Sequence, residues 1–215
     1  MAELTAYSGL AALLVPDLPG ADLDVITAYL HRAGRKFCAD SEVFRQEPSR
    51  TLAFGTDRYS LILTDAQVRR IVRVRFLDPT VDEVKNYGDG REIAPDYYYL
   101  DEANQDLILR KQAEVQTHET GYTLAVEVAY VPHTGADVLP DSFLTRWADA
   151  IRYRAMFELT GMSKRPWSDP QAEQKFMVLY DDAVARARFE ETHEHKKVNK
   201  TMRASPFVGT SRSWI

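Results

Sequence analysis

His193 and His195 are the pair in this chain that first suggests metal chemistry. Two positions apart on a helix, side chains point to different faces and cannot easily share one ion. Glu190, Glu191 and Glu194 surround them, which is the pattern of a solvated charged face. His31, His118 and His133 are isolated along the chain and read as surface or hydrogen-bonded residues. Cys38 is the only cysteine and follows Phe37 on the apolar side of an expected helix. With no Cys–His signature around it, it reads as a buried structural thiol and not a nucleophile. A single cysteine also excludes an internal disulfide framework and a cysteine-based zinc site.

Two further stretches carry residue types that could bind ligands. Gly88-Asp89-Gly90-Arg91 lacks the flanking strand and helix of a phosphate loop and reads as a turn. Tyr97-Tyr98-Tyr99 could stack bases or sugars, but aromatic strand residues more commonly pack a sheet or an interface. Neither Gly-x-Ser-x-Gly, His-Glu-x-x-His nor a Walker-type sequence occurs. Paired carboxylates can be assigned only on a fold. The expectation is a protein with no catalytic site, no metal and no cofactor.

The elements that would position these residues fall into three regions. In the first, Ile26, Leu30, Ala33 and Phe37 recur at spacings of three and four, giving a helix over Ala21–Phe44 with one apolar face. Pro19-Gly20 turns the chain before it, Asp22 is placed as a cap, and Pro48 ends any helix that reaches it. The second region, from about Thr51 to Val131, reads as strands. Tyr59–Leu63 forms a short run. Val68, Val72, Val74 and Phe76 alternate with Arg69, Arg73 and Arg75, broken by Arg70. Tyr97–Leu100 and Leu107–Arg110 form a hairpin around Asp101–Asp106. Leu124, Val126, Val128 and Tyr130 alternate with Ala125, Glu127 and Ala129. The segment Asp78–Asp96 is long for a loop and is either functional or holds a further strand.

The third region is helical. A helix is expected over Asp141–Thr160 with Asp141 as cap, Leu144, Ala148, Ile151, Ala155 and Leu159 as its stripe, and Trp147 beside it. Gly161 is placed as a left-handed terminator. A second helix over Ser168–Lys196 has Ser168 and Gln171 as a capping box, and Phe176, Leu179, Tyr180, Ala183 and Ala187 as its stripe. The short link between them implies an antiparallel pair. The reading is an α+β fold: a helical module over residues 1–47 and 138–196, an inserted antiparallel β domain over 48–137, and an extended C-terminal tail over 197–215. The core should include Ile26, Leu30, Phe37, Trp147, Ile151, Trp167 and Phe176.

Composition bounds the class. Of the 215 residues, 45% are hydrophobic, enough for a core. The net charge is −5, so general nucleic-acid binding is not expected. The run Leu10–Val15 lacks a preceding basic residue and is too short for a secretory signal. No stretch approaches a membrane span, so a soluble protein made in a cytosol is expected. The C-terminal stretch differs from the rest. It holds Lys196, Lys197, Lys200, Arg203 and Arg212 and no acid, yet also Phe207, Val208, Trp214 and Ile215. Such a segment suits ordering on a partner.

These parts, in this order, resemble the bacteriophage head-to-tail adaptor family, also called tail tubular protein A or head-tail connector proteins. Val15-Pro16 and Leu18-Pro19-Gly20 resemble its opening, and Phe37-Cys38 through Val43-Phe44-Arg45 the end of its first helix. Leu139-Pro140-Asp141, Trp147, Ala150-Ile151, Ala155 and Leu159 resemble its second helix. Arg165-Pro166-Trp167-Ser168-Asp169-Pro170, Ala172 and Phe176 resemble the link and third helix, and Ala185-Arg186-Ala187-Arg188 its basic end. Where the family frequently has Gly before the alanine matched by Ala155, this chain has Arg154.

The resemblance implies a structural virion protein of the neck, assembled in the host cytoplasm, with no reaction of its own. It implies a closed homo-oligomeric ring, of roughly twelve subunits, beneath the portal protein. The ring would prolong the channel through which double-stranded DNA passes without sequence-specific binding, and would carry the tail or nozzle protein. The tail segment would dock on the portal or a neighbouring subunit. Two other classes remain open: a small enzyme or carbohydrate-binding module using Tyr97–Tyr99, and a tail-tube or tail-terminator protein, which the three helices disfavour.

Overall fold

The computed structural model describes residues 6–51, 56–77, 91–93, 95–110, 123–134 and 139–198. Its helices, in chain order, are α1 (Ala6–Leu14), α2 (Leu23–Ser41), α3 (Asp141–Arg146), α4 (Ala148–Thr160) and α5 (Pro170–Val198). Its strands are β1 (Arg45–Gln46), β2 (Ser49–Thr51), β3 (Arg58–Ser60), β4 (Ala66–Leu77), β5 (Arg91–Glu92), β6 (Tyr98–Asp101), β7 (Asp106–Leu109) and β8 (Thr123–Pro132). The fold is α+β, with antiparallel sheets. The larger sheet runs β1–β8–β4–β5, with β2 also on β8, and the smaller runs β3–β7–β6.

β8 is the centre of this arrangement. It pairs with β4 on one side and with β1 and β2 on the other. Every residue from Leu124 to Pro132 is buried, so the alternation in its sequence separates two covered faces and not a wet from a dry one. Glu127 is the acid on it, and its carboxylate is met by Arg45 at 2.9 Å and Arg73 at 3.5 Å. The pairing of β4 with β8 shifts register between Val68 and Arg70 and between Ile71 and Arg73. These bulges are the physical form of the irregular alternation around Arg70, since an extra residue resets which face each side chain takes. The hairpin of β6 and β7 closes over residues 102–105, and Leu107, Ile108 and Leu109 are buried. Within the long segment before it, β5 is a short strand on the edge of β4, with Arg75 opposite Glu92.

The helices pack on one another, and α2 lies against β8. The stripe Ile26, Leu30, Ala33 and Phe37 of α2 is fully buried, with Cys38 beside it. Burial raises the Cys38 thiol far above its usual range. Phe37 sits in an aromatic cluster with Phe143, Trp147 and Tyr180, ring centres 5.5–6.5 Å apart. Ile151 is fully buried and Trp147 is 9% exposed, while Trp167 and Phe176 are half-buried against the same core. Helix and strand residues share this one core, from Tyr7 through Tyr130 to Ala187.

Several local expectations are corrected. α1 adds a helix where only an apolar run had been noted; its buried residues are Tyr7, Ala11 and Leu14, and it packs on α2 at Gly34, where any Cβ would strike the Tyr7 hydroxyl. α2 ends at Ser41 and not Phe44, because Glu42 turns left-handed (φ 57°). Asp22 precedes α2 without a side-chain capping bond. The helix expected over Asp141–Thr160 is two helices, and Pro140, not Asp141, is the residue before the first. The break is at Trp147 (φ −110°), whose indole packs on Phe37 at 5.5 Å. Gly161 is right-handed (φ −74°); the left-handed residue of that link is Lys164 (φ 65°). Ser168 does not cap the last helix. Asp169 does, its carboxylate accepting from the N–H groups of Gln171 at 2.9 Å and Ala172 at 3.1 Å. Finally, α5 runs to Val198, so Lys196 lies on the helix as expected and Lys197, expected in the tail, lies on it too.

Candidate assembly surface

α5 is the longest helix described, with 29 residues, and it covers α4 and part of α2 with one face only. Tyr180, Val184 and Ala187 are buried on that face. Polar bonds fasten it along its length. The Tyr180 hydroxyl donates to Asp40 Oδ2 at 2.8 Å, and burial together with the Asp40 carboxylate raises its pKa well above the ordinary phenol value. The Arg188 guanidinium donates to the Asp40 carbonyl. Further along, Glu190 meets Arg146 at 3.0 Å and Glu191 meets Arg45 at 3.4 Å. Both ends of the attachment are thus tied, one to the end of α2 and one to α3 and β1.

Arg154, standing where the resembled family frequently has Gly, occupies the contact between α4 and α5. Its guanidinium lies 4.9 Å from the Phe157 ring centre and 5.4 Å from that of Tyr180, and it pairs with Glu158 at 2.8 Å. A glycine would let the helices approach. Here a planar cation fills that space by stacking on aromatic faces.

The opposite face of α5 is apolar in places where a solvated helix would be polar. Val178 is 64% exposed and Phe189 61%. They are eleven positions apart, about three helical turns, which puts them on one line about 16 Å apart. Met177 is exposed beside Val178, and Ala185, also exposed, lies between. Phe189 stacks on His193 with ring centres 3.8 Å apart, and His193 Nδ1 lies 2.8 Å from the Phe189 carbonyl. That engagement suits a helix-surface residue and not a metal ligand. Elsewhere, Leu13, Val15 and Leu23 are exposed around the α1–α2 connection.

The residues expected to dock a partner divide at the end of α5. Lys196 and Lys197 lie in the last turn of α5. Lys200, Arg203, Phe207, Val208, Arg212, Trp214 and Ile215 lie outside the described residues. So does Gly88-Asp89-Gly90, while Arg91 begins β5. On β6 and the turn before it, Tyr97 and Tyr99 are exposed and Tyr98 is half-buried, with the Arg110 guanidinium 6.0 Å from the Tyr99 ring. Among the described residues, no three His, Cys, Asp or Glu side chains converge as metal ligands, and no helix is long and apolar enough to cross a membrane.

Sequence reasoning used α5 only through its buried stripe. Val178 and Phe189 stood in the sequence as apolar residues off that stripe, which was the available signal. No protein-family model matches the chain, and no curated protein matches it.

Proposed function

We propose that this protein is a structural head-to-tail adaptor of a bacteriophage particle, with no reaction of its own. In this reading, copies close into a ring of roughly twelve beneath the portal, and the ring carries the tail or nozzle protein and lets double-stranded DNA pass. The observation that carries it is α5. One face is fastened to the body, the other leaves Val178 and Phe189 exposed, and its end leads into the basic, aromatic C-terminal stretch. A head-to-tail ring needs two unlike surfaces on each subunit. The outer face of α5 and the exposed Leu13, Val15 and Leu23 supply candidates. The order of α2, α4, the Arg165–Pro170 link and α5 supports the family resemblance, and the net charge of −5 suits a channel that must not hold DNA. The orientation, with helices in the ring wall and strands toward the tail, rests on that resemblance alone.

The test is co-expression with the portal protein of the same genome, read by native mass and electron microscopy. A ring stacked on the portal is expected. Removing residues 199–215 leaves α5 whole and should abolish joining, since the cationic residues speed docking and Phe207 and Trp214 hold it. A full-length chain that stays monomeric beside assembled portal would overturn the adaptor reading. A truncated chain that joins with unchanged affinity and salt dependence would overturn the docking role. A second reading, a carbohydrate-binding module, is favoured by the exposure of Tyr97 and Tyr99; it predicts a monomer or dimer whose sugar binding is lost in Tyr99→Ala.

A further inference from the structure

A cleft of about 470 Å³ opens between α2, α4 and the first residues of β4. Its charge runs against that of the molecule. Arg32, Arg35 and Lys36 of α2, Arg69 of β4 and Arg154 of α4 line it, in a chain whose net charge is −5. Glu158 and Glu102 are the acids of the lining. Lys36 is matched by Asp40 at 2.8 Å. Glu158 is shared between Arg32 at 3.1 Å and Arg154 at 2.8 Å, so one carboxylate serves two guanidinium groups. Arg35 donates to the neutral Thr134 Oγ1 at 2.6 Å. Neither Arg35 nor Arg69 has a carboxylate partner among the described residues. Set against Glu102, Glu158 and Asp40, the five cations leave a surplus of two positive charges.

We propose that this cleft binds a phosphate group, held by Arg35 and Arg69 with Arg154 behind them. The surplus matches the charge of a phosphate monoester, about −1.5 to −2 at neutral pH, where one carboxylate would leave it half compensated. Arginine presents a planar fork of donors that fits phosphate oxygens two at a time. The rear wall is set before any ligand arrives: Arg154 is fixed by Glu158 and by the rings of Phe157 and Tyr180, so little order is lost on binding. Arg35 and Arg69 are exposed, and Arg35 would exchange its bond to the neutral Thr134 hydroxyl for the anion. The phosphate can come from a free ion or small ester, or from two adjacent phosphates of a nucleic-acid backbone, each of which carries a single charge. Guanidinium groups meet the phosphate oxygens in the same way in both cases, and the proposal does not depend on the adaptor reading.

The experiment is titration of the full-length chain with inorganic phosphate by calorimetry, then with a short DNA duplex and with hexaglutamate. Saturable binding of phosphate to one site is expected. It should weaken about tenfold or more in Arg35→Gln and in Arg69→Gln, each removing a charged hydrogen-bond donor from the anion. Arg186→Gln, on the outer face of α5 and paired with Asp182, should bind as the parent does. Circular dichroism of the variants confirms folding, and all three positions are exposed. Duplex binding that phosphate displaces and Arg35→Gln abolishes would name nucleic acid as the source. Phosphate binding without duplex binding would name a free ligand. Phosphate binding unchanged in both cleft variants overturns the proposal, and so does tighter binding of hexaglutamate than of phosphate.

Discussion

Glu127 is an acid in the middle of a strand buried on both faces, and its cost is met by Arg45 and Arg73. Removing it takes a carboxylate from both cations. Glu127→Ala should destabilise the fold by about 3 kcal/mol, at the low end for a broken buried pair because Arg45 keeps Glu191; denaturant unfolding measures this. Three residues further along β8, the Tyr130 hydroxyl donates to the Leu61 carbonyl at 2.8 Å, and burial pushes its pKa up to about 12. The unfolded phenol titrates near the ordinary value of 10. Its contribution is therefore whole below pH 10 and is lost as pH rises toward 12. Tyr130→Phe should flatten the alkaline fall in thermal stability; an unchanged slope would assign that fall to other groups. Cys38, buried and held as a neutral thiol, should resist thiol reagents until the chain unfolds, so labelling should track unfolding. That Cys38 is buried was legible beside Phe37. That Glu127 is buried was not, because alternation describes two faces and does not say what covers the second.

At the scale of elements, periodicity located α2, α4 and α5, and it failed where geometry is set by packing or by one hydrogen bond. Ser168 and Asp169 both suit a cap, and only the path of the link decides between them. Here the Asp169 N–H donates to the Thr160 carbonyl at 3.0 Å, which fixes Asp169 at the start of α5. Asp169→Ala should cost about 1 kcal/mol and Ser168→Ala close to nothing, a difference that thermal unfolding resolves. The break at Trp147 has no local sequence signal, since no Pro or Gly marks it; the indole is drawn into the cluster around Phe37. Trp147→Ala should cost about 3–5 kcal/mol, and an unchanged unfolding temperature would remove Trp147 from the core. α1 did carry its signal, in Tyr7, Ala11 and Leu14, but the continuous apolar run Leu10–Val15 overlies that spacing.

At the scale of the molecule, the inserted β region and the helices share one core through β8 and α2. The composition shift along the chain marks an architectural boundary across which side chains still pack. The candidate surface was legible only in its basic end. Its apolar line became visible once α5 had an inside, and the cationic cleft needed the tertiary fold, because Arg35, Arg69 and Arg154 are distant in sequence. If α5 meets a second subunit, Val178→Asp with Phe189→Asp should leave a folded monomer and block ring closure, read by native mass in the presence of portal. A ring that still closes would move the contact to another face.

The central position of β8 also sets an order of events during synthesis. Arg45 and Ser49 find their strand partners at Ala129 and Ala125, and α2 rests on α4 and α5, made last. Few long-range contacts are available to the first half of the chain until the second half leaves the ribosome. Such topology folds slowly, because distant closure must precede most of the stabilising contacts. A nascent chain arrested before Asp141 would lack the α4 and α5 cover of the Ile26–Phe37 stripe, and should be cut by protease and held by chaperones until α5 emerges.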